Sequence, residues 1–547
     1  MNWTMRSRLW TGAFALFAVR LVLSLIRTGP VLVADEIGYL TNARVLAGGL
    51  PGQLEQAPFY RGGYSLLLAP IVDLFSDPTV AYHLILALNA ALAASLLPLL
   101  YFLLTRFGGV RKELAFWAAL AGAAYPALTV LSQVAMSENA LFPLVVVWLI
   151  AFGGLLSVQS GGRDVAWAAG LGAATGALWA VHNRMVVAIL VAVAGLICLA
   201  AKKRIRPVAA AAGIGVIALA FIGVHFLDSY LTDHNYAGSA PDELSERMDS
   251  LFQFSGLRTA LANLVGQSWY LLVATFGLAA AAVWDFLRPR EEERPPPVLG
   301  VLLALTGLLL LISASAFPER TRPDMLIYGR YAEIVAPALI AFGLVALGTV
   351  RSKAAWALFG FGALTALVVV IRATASDPDA PNRWNISALP FITVQLQPWV
   401  LVGAALVAAA GAAVLLRARG RRRLAPALVA IALFVPITAY GAWNPVRSSE
   451  VAVYPAGWES PEAVAERVGA KTIGYDLDHY DTIGLYTIQW FLPKTELTLF
   501  HGNRQPARSR FVLSGENWAA QHPGAQEIWA WPGRDQVLWQ DAGHGAR

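Results

Sequence analysis

Residues 9–36 read LWTGAFALFAVRLVLSLIRTGPVLVADE, an apolar run over 9–27 broken once by Arg20, then a Gly-Pro turn, then two adjacent carboxylates, Asp35 and Glu36. A run of about 20 apolar residues is long enough to cross the hydrocarbon core of a bilayer as a helix. The acidic pair then stands where the chain has emerged on the far side. A cleaved signal peptide is the other reading of such a start. Against it, the apolar run is long, is interrupted by Arg20, and ends well before the small-residue stretch Val31 to Ala34.

The rest of the chain repeats the apolar theme. Of 547 residues 57% are apolar and 14% charged, with a mean hydropathy of +0.56; soluble domains carry roughly 45–50% and 25%. Further runs of spanning length occur near 80–105, 114–134, 140–158, 165–181, 185–201, 208–228, 267–287, 298–317, 335–350, 354–371, 398–416 and 424–441, about thirteen spans in all. The expected fold is therefore an α-helical polytopic membrane protein. Alternate loops carry Arg6/Arg8, Arg111/Lys112, Lys202/Lys203/Arg204, Arg288/Arg290, Arg351/Lys353 and the run from Arg417 to Arg423. By the positive-inside rule these loops are cytoplasmic, which puts the N-terminus inside and Asp35 outside. The net charge of +6 and pI near 9.4 follow from these loops and point to a membrane rather than to nucleic acid. The single cysteine, Cys198, lies in an apolar run and excludes a disulfide framework.

The expected division is a membrane domain over 1–444 and a small extracytoplasmic α/β domain over 445–547, both placed at the plasma membrane. In the outer loop 28–79, Ile37, Leu40, Ala43 and Leu46 recur at helical spacing until Ala47-Gly-Gly, which predicts a helix over 35–46 lying on the membrane surface. A second such helix is expected from Tyr64 to Phe75. Beyond 445, Ser460-Pro461-Glu462 opens a helix, a second helix is expected over 482–492, and strands are expected at 472–475, 496–500, 510–514 and 527–531. Asp476, Asp478, His479 and Asp481 have no recognised ligand spacing and read as a solvated loop. Trp458, Trp490 and Trp518 offer aromatic faces to sugars, although core packing is the commoner role of such residues.

The outer face collects the groups that carry chemistry: Asp35, Glu36, Glu138 in Met136-Ser-Glu-Asn139, Arg61, Arg184 in His182-Asn-Arg184, and Tyr328-Gly-Arg330-Tyr331. Nucleotide-activated sugars are not normally available there, so group transfer needs a donor carried through the membrane, such as a lipid-linked phosphate. Transfer from that donor to a hydroxyl requires one general base, and cations with hydrogen-bond donors for the departing phosphate. Arginine suits the second task through its planar two-donor fork and permanent charge. Simpler roles fit each residue taken alone: Asp35-Glu36 at a helix start favours the helix dipole, Glu138 suits a cap, Arg184 suits snorkelling, and Arg20 suits a buried packing contact.

With these motifs the chain resembles the GT-C superfamily of polyprenyl-phosphate-sugar-dependent glycosyltransferases, in the broad branch of the protein O-mannosyltransferases and the lipid A aminoarabinose transferase. The likeness lies in the Asp-Glu pair after span one, the outer loop with surface helices, the acid after span three, Arg330-Tyr331 ahead of Pro337, and an outer C-terminal domain. It implies Asp35 as catalytic base, with Glu36 and Glu138 as the other acidic positions. It also implies Arg61, Arg184, Arg330 and Tyr331 around the donor phosphate, and Arg20, Arg320 and Arg322 as further candidates. Tyr60-Arg61-Gly-Gly-Tyr64 stands where the aminoarabinose and mannose transferases carry a Lys-Pro-Pro-like segment, so lysine and prolines are absent here. The implied reaction is inverting transfer from a polyprenyl-phosphate sugar to a glycan, lipid or protein acceptor outside the cell. A divalent cation at Asp35, Glu36 and Glu138 is allowed and not demanded. The rival readings are a polyprenyl-lipid flippase, an O-antigen-type ligase and a structural assembly protein.

Overall fold

The computed structural model describes residues 3–32, 35–54, 57–158, 163–236, 253–288, 295–316, 323–350, 352–374, 383–392, 397–419, 424–479, 481–502 and 509–541. The chain is a bundle of apolar helices capped by a small mixed sheet. The main helices, in chain order, are α1 (Trp3–Ser24), α2 (Asp35–Leu46), α3 (Gly62–Leu74), α4 (Pro78–Arg106), α5 (Lys112–Ala123), α6 (Pro126–Leu131), α7 (Glu138–Leu156), α8 (Arg163–Val181), α9 (Val186–Ala201) and α10 (Pro207–Asn235). They continue with α11 (Phe254–Ala274), α12 (Leu278–Leu287), α13 (Pro297–Ser315), α14 (Arg330–Glu333), α15 (Ala336–Ala346), α16 (Ser352–Thr374), α17 (Pro398–Ala418), α18 (Ala425–Gly441) and α19 (Arg447–Val453).

Among the described residues eight helices are long and apolar enough to cross a membrane, or ten if each of two bent pairs counts as one span. The described residues thus account for up to ten of the about thirteen expected spans by length and composition. All thirteen expected segments are helical. The 114–134 segment breaks between α5 and α6 at Tyr125-Pro126, α8 opens on the charged pair Arg163-Asp164, and α16 runs as one helix from Ser352 to Thr374. The protein is a multi-pass membrane protein. Large apolar side chains such as Phe14, Val22, Phe221 and Phe226 point outward on the spans, as a lipid solvent permits.

Close helix contacts rest on small residues. A Cβ on Gly172 of α8 would lie 2.5 Å from the Gly213 carbonyl of α10, and one on Gly176 would lie 2.3 Å from Ala220 Cβ. The first bent pair, α11 and α12, turns through 105° where Phe276 and Gly277 both take positive φ. Only the second of these residues does so without steric penalty. In the second pair, the segment Asp324–Glu333 meets Ala336–Thr349 at 78°, which leaves α14 at the end of a span.

The C-terminal domain adds α20 (Pro461–Val468), α21 (Thr482–Phe491) and α22 (Trp518–Gln521) to strands β1 (Thr472–Asp476), β2 (Glu496–Phe500), β3 (Phe511–Ser514), β4 (Gln526–Ala530) and β5 (Val537–Gln540). The strand order is β2-β1-β3-β5-β4, with β1 parallel to β2 and β3, and β5 antiparallel to β3 and β4. The four expected strands are present. A fifth strand, β5, is not among those expected and pairs antiparallel with β3 and β4.

This domain docks on the segment after α1 rather than hanging from the bundle. Tyr454 Oη donates to the Pro30 carbonyl (2.7 Å), the Gln53 N–H to Gln489 Oε1 (2.7 Å), and Arg44 to the Gln489 carbonyl (2.7 Å). One continuous apolar core runs from the bundle into the domain through Tyr82, Trp490 and Phe491. The docking changes the reading of α2. The helix has the expected ends, but ten of its twelve residues are buried, so it is enclosed instead of resting one face on a membrane surface.

Candidate active site

Successive residues of an α-helix point about 100° apart, so Asp35 and Glu36 at the start of α2 face different neighbours. Glu36 is wholly buried. Its Oε2 accepts from the backbone N–H groups of Val31 and Leu32 (both 2.8 Å), and its Oε1 from Tyr82 Oη (2.7 Å) and the Ala135 N–H (2.6 Å). It thereby ties the α1–α2 link to α4 and to the turn before α7. Close by, Arg27 pairs with Glu450 at 2.8 Å.

Asp35 opens the other way, with 26% of its side chain exposed. Its Oδ1 accepts from Tyr60 Oη (2.9 Å) and its Oδ2 from Arg330 (2.7 Å). Arg330 also reaches Glu138 Oε1 (3.3 Å) and Asn385 Oδ1 (3.3 Å). The same Glu138 oxygen accepts from Arg184 at 2.9 Å. Asp35, Arg330, Glu138 and Arg184 thus form one chain of alternating charge, drawn from α2, α14, the start of α7 and the turn between α8 and α9. Tyr331 packs its ring against the Arg184 guanidinium, 4.5 Å from the ring centroid.

The supports of this chain are themselves pinned. Ser137 receives a hydrogen bond from Tyr39 (2.9 Å) beside Glu138. The Gly329 N–H donates to the Asn385 carbonyl (2.8 Å), and Asn385 Nδ2 donates to Asp324 Oδ2 (2.6 Å). Glu333, at the end of α14, is bonded to Tyr270, and both accept from the Ala388 N–H at 3.0 Å. His182 Nδ1 accepts from the Arg184 N–H (3.2 Å). Burial, and then the adjacent Arg184 charge, hold this imidazole well below its usual range and therefore neutral.

Arg61 lies to one side. It bonds Asn183, pairs with Asp228 at 2.8 Å, and lies flat over Trp179 at 3.6 Å. It therefore contacts the residue next to Arg184, while no direct contact joins it to Arg330 among the described residues. Arg20 is placed elsewhere: it donates to the Ala123 carbonyl (2.7 Å) and Thr129 (3.3 Å), where α5 gives way to α6. That is the buried packing role. Arg320 and Arg322 lie outside the described residues.

Charges at the centre balance, with Asp35 and Glu138 against Arg184 and Arg330. Hydrogen-bond donors do not: Nε and Nη1 of Arg184 are buried and have no partner. Leaving a buried donor unmatched costs about 1–3 kcal/mol, so these two N–H groups mark where a ligand rich in acceptor oxygens fits. Asp35, Glu36 and Glu138 do not converge, and no group of three His, Cys, Asp or Glu side chains arranged to hold a metal occurs among the described residues.

Two solved structures match this architecture along nearly its whole length. ArnT from Cupriavidus metallidurans bound to undecaprenyl phosphate aligns with a TM-score of 0.55 at 16% identity, covering 97% of this chain and 98% of that one; its apo form aligns at 0.53. The chain has the GT-C fold. The oligosaccharyltransferase of Archaeoglobus fulgidus aligns at 0.46 and 11% identity, over 92% of this chain and 70% of that one. No protein-family model and no curated protein matches the sequence.

Within this GT-C fold, Asp35, Glu138, Arg184, Arg330 and Tyr331 are brought together. Sequence reasoning missed Tyr60, His182 and Asn385 as partners. Tyr60 and His182 flank singled-out arginines in Tyr60-Arg61 and His182-Asn-Arg184, a usable signal. Asn385 has none, because it belongs to the site only through the fold.

Proposed function

We propose that the protein is an inverting glycosyltransferase that moves a sugar from a polyprenyl-phosphate donor to a hydroxyl outside the plasma membrane, with residues 1–444 as catalytic unit and 445–547 as an extracytoplasmic domain. The reading is carried by the two unpartnered N–H groups of Arg184, buried beside Arg330 and next to a carboxylate that remains accessible. A phosphate offers acceptor oxygens for those donors, and the fold is shared with an ArnT solved with undecaprenyl phosphate bound.

In this mechanism Arg184 and Arg330 take the donor phosphate, with Arg61 on its flank and Glu138 holding both guanidiniums in place. Arg330 is shared between Asp35 and the phosphate, so donor binding loosens the Arg330–Asp35 pair and leaves Asp35 a freer base. Asp35 accepts the acceptor's hydroxyl proton, the acceptor oxygen bonds to the anomeric carbon, and the anomeric C–O bond to phosphate breaks. The electron pair leaves on the polyprenyl phosphate, whose extra negative charge the arginine donors stabilise without protonation. Glu36 already accepts four hydrogen bonds and acts as a positioning residue.

The test is transfer of labelled sugar from a panel of polyprenyl-phosphate donors by the purified protein and by Asp35→Asn. Transfer from one donor, lost in the variant while that variant still binds the donor, is the expected result. Full turnover by a folded Asp35→Asn protein would remove the base assignment, and lipid binding without transfer from any donor would favour flipping.

A further inference from the structure

At the opposite end of α2 from Asp35, a pocket of about 210 Å³ opens between the Gly48-Gly49 turn, the α3–α4 turn and the loop after α21. Three of its lining residues set its chemistry. Arg44 is buried and donates to the carbonyls of Leu50 (2.8 Å), Gln489 (2.7 Å) and Pro51 (3.4 Å), but no carboxylate among the described residues pairs with it. Burial alone pulls its guanidinium down to about 10. Arg20 likewise has no carboxylate partner among the described residues, but Arg44 lines a cavity. Trp490, 5% exposed, has a buried indole N–H with no partner. Lys494, exposed at the rim, adds a second positive charge that Glu462 partly offsets, and the exposed Asp73 adds a hydrogen-bond acceptor.

A buried cation without a carboxylate partner and an indole whose N–H is unmatched line one small cavity here. Both conditions are unfavourable in the empty protein and are relieved by a ligand carrying negative charge and acceptor oxygens. An aromatic wall together with an acceptor for hydroxyls suits a sugar ring. The length of α2, about 18 Å at 1.5 Å per residue, separates this pocket from the proposed base. An extended acceptor of a few sugar units bridges that distance.

We propose that the seam between the first outer loop and the outer domain is an acceptor subsite for an anionic saccharide, its carboxylate or phosphate held by Arg44 and Lys494, its ring by Trp490 and its hydroxyls by Asp73. This rests on the glycosyltransferase reading above, and it assigns to the outer domain the task of completing the acceptor site.

The test is saturation-transfer NMR and calorimetry on the full-length protein in nanodiscs, with glucuronate as probe and glucose as its neutral counterpart. Glucuronate is expected to bind about tenfold or more tightly than glucose, the scale of one charge-assisted contact, to lose that preference in Lys494→Glu, and to bind more weakly, as glucose does, in Trp490→Phe. Lys494 is exposed, so its variant folds even if one at Arg44 does not. Equal binding of the two sugars, or unchanged glucuronate binding in both variants, would overturn the proposal. Signals that follow phosphatidylglycerol in the nanodisc or inorganic phosphate, and not glucuronate, would also overturn it by making this a lipid-headgroup or free-phosphate site. Polyprenyl-phosphate binding, measured in parallel on wild type and Arg184→Gln, separates the two failures: if it persists while glucuronate fails, only the subsite is lost.

Discussion

Asp35 and Glu36 are adjacent in sequence, and each begins a cluster of arginine, carboxylate and tyrosine. Glu36 itself is saturated, with two backbone N–H groups on one oxygen and Tyr82 and the Ala135 N–H on the other. Arg27 pairs with Glu450 nearby and keeps its buried Nε without a partner among the described residues. Around Asp35 the same residue types leave room, because the carboxylate is a quarter exposed and Arg184 keeps two donors unused. Residue identity alone does not distinguish the two clusters. What differs is the carboxylate itself, accessible at Asp35 and saturated at Glu36, since only an accessible group offers a substrate what the protein has not already supplied.

The strongest way to break that contrast is to neutralise both acids. Asp35→Asn is expected to lower turnover by about 10²–10⁴ with the melting temperature nearly unchanged; a drop of less than tenfold in a labelled-sugar assay would erase the distinction. Arg184→Lys is expected to weaken donor binding by about ten- to a hundredfold, because one ammonium cannot serve Glu138 and also present a two-donor fork. Titration with polyprenyl phosphate reads this directly, and unchanged affinity would take Arg184 out of the phosphate pocket. Glu36→Gln turns an NH₂ group toward two existing donors, so a loss of about 1–3 kcal/mol is expected. It should show as a lowered unfolding midpoint in detergent, while kcat per folded molecule is little changed. Normal stability with lost turnover would reverse the roles assigned to the two acids.

The smallest effect belongs to the outer domain. Burial, with Glu466 and Asp77 nearby, raises Glu462 from 4.5 to about 7. A carboxyl whose pKa is raised by folding favours the fold when protonated. Its contribution is therefore fully present below about pH 4.5 and is lost as pH rises through about 7. Solvent screening keeps this within about 1 kcal/mol. Glu462→Gln should flatten the dependence of the unfolding midpoint between those pH values, and a slope equal to wild type's would show that this side chain is not the source.

Much of this was legible in the sequence, for identifiable reasons. Helix existence followed from runs of apolar residues, and the ends of α2 from a period that Ala47-Gly-Gly interrupts. The span count was less legible because a run of apolar residues does not reveal a break such as the one at Tyr125-Pro126. Within the site, Arg184 and Arg330 were visible because arginines near span ends are conspicuous. Tyr60, His182 and Asn385 were not, since polar residues in loops acquire meaning only from what lies opposite them.

By itself, the sequence determined that this chain lives in a membrane, which of its loops carry the basic charge, and that acids and arginines accumulate away from those loops. Those properties depend on residue type and local spacing, and the bilayer imposes them on each segment separately. Tertiary structure alone decided that Asp35 opens onto Arg330 while Glu36 is sealed, that α2 lies under a roof, and that Arg44 and Trp490 share a cavity. These are contacts between segments tens to hundreds of residues apart, and their energies depend on burial and on which partner each polar atom has already found.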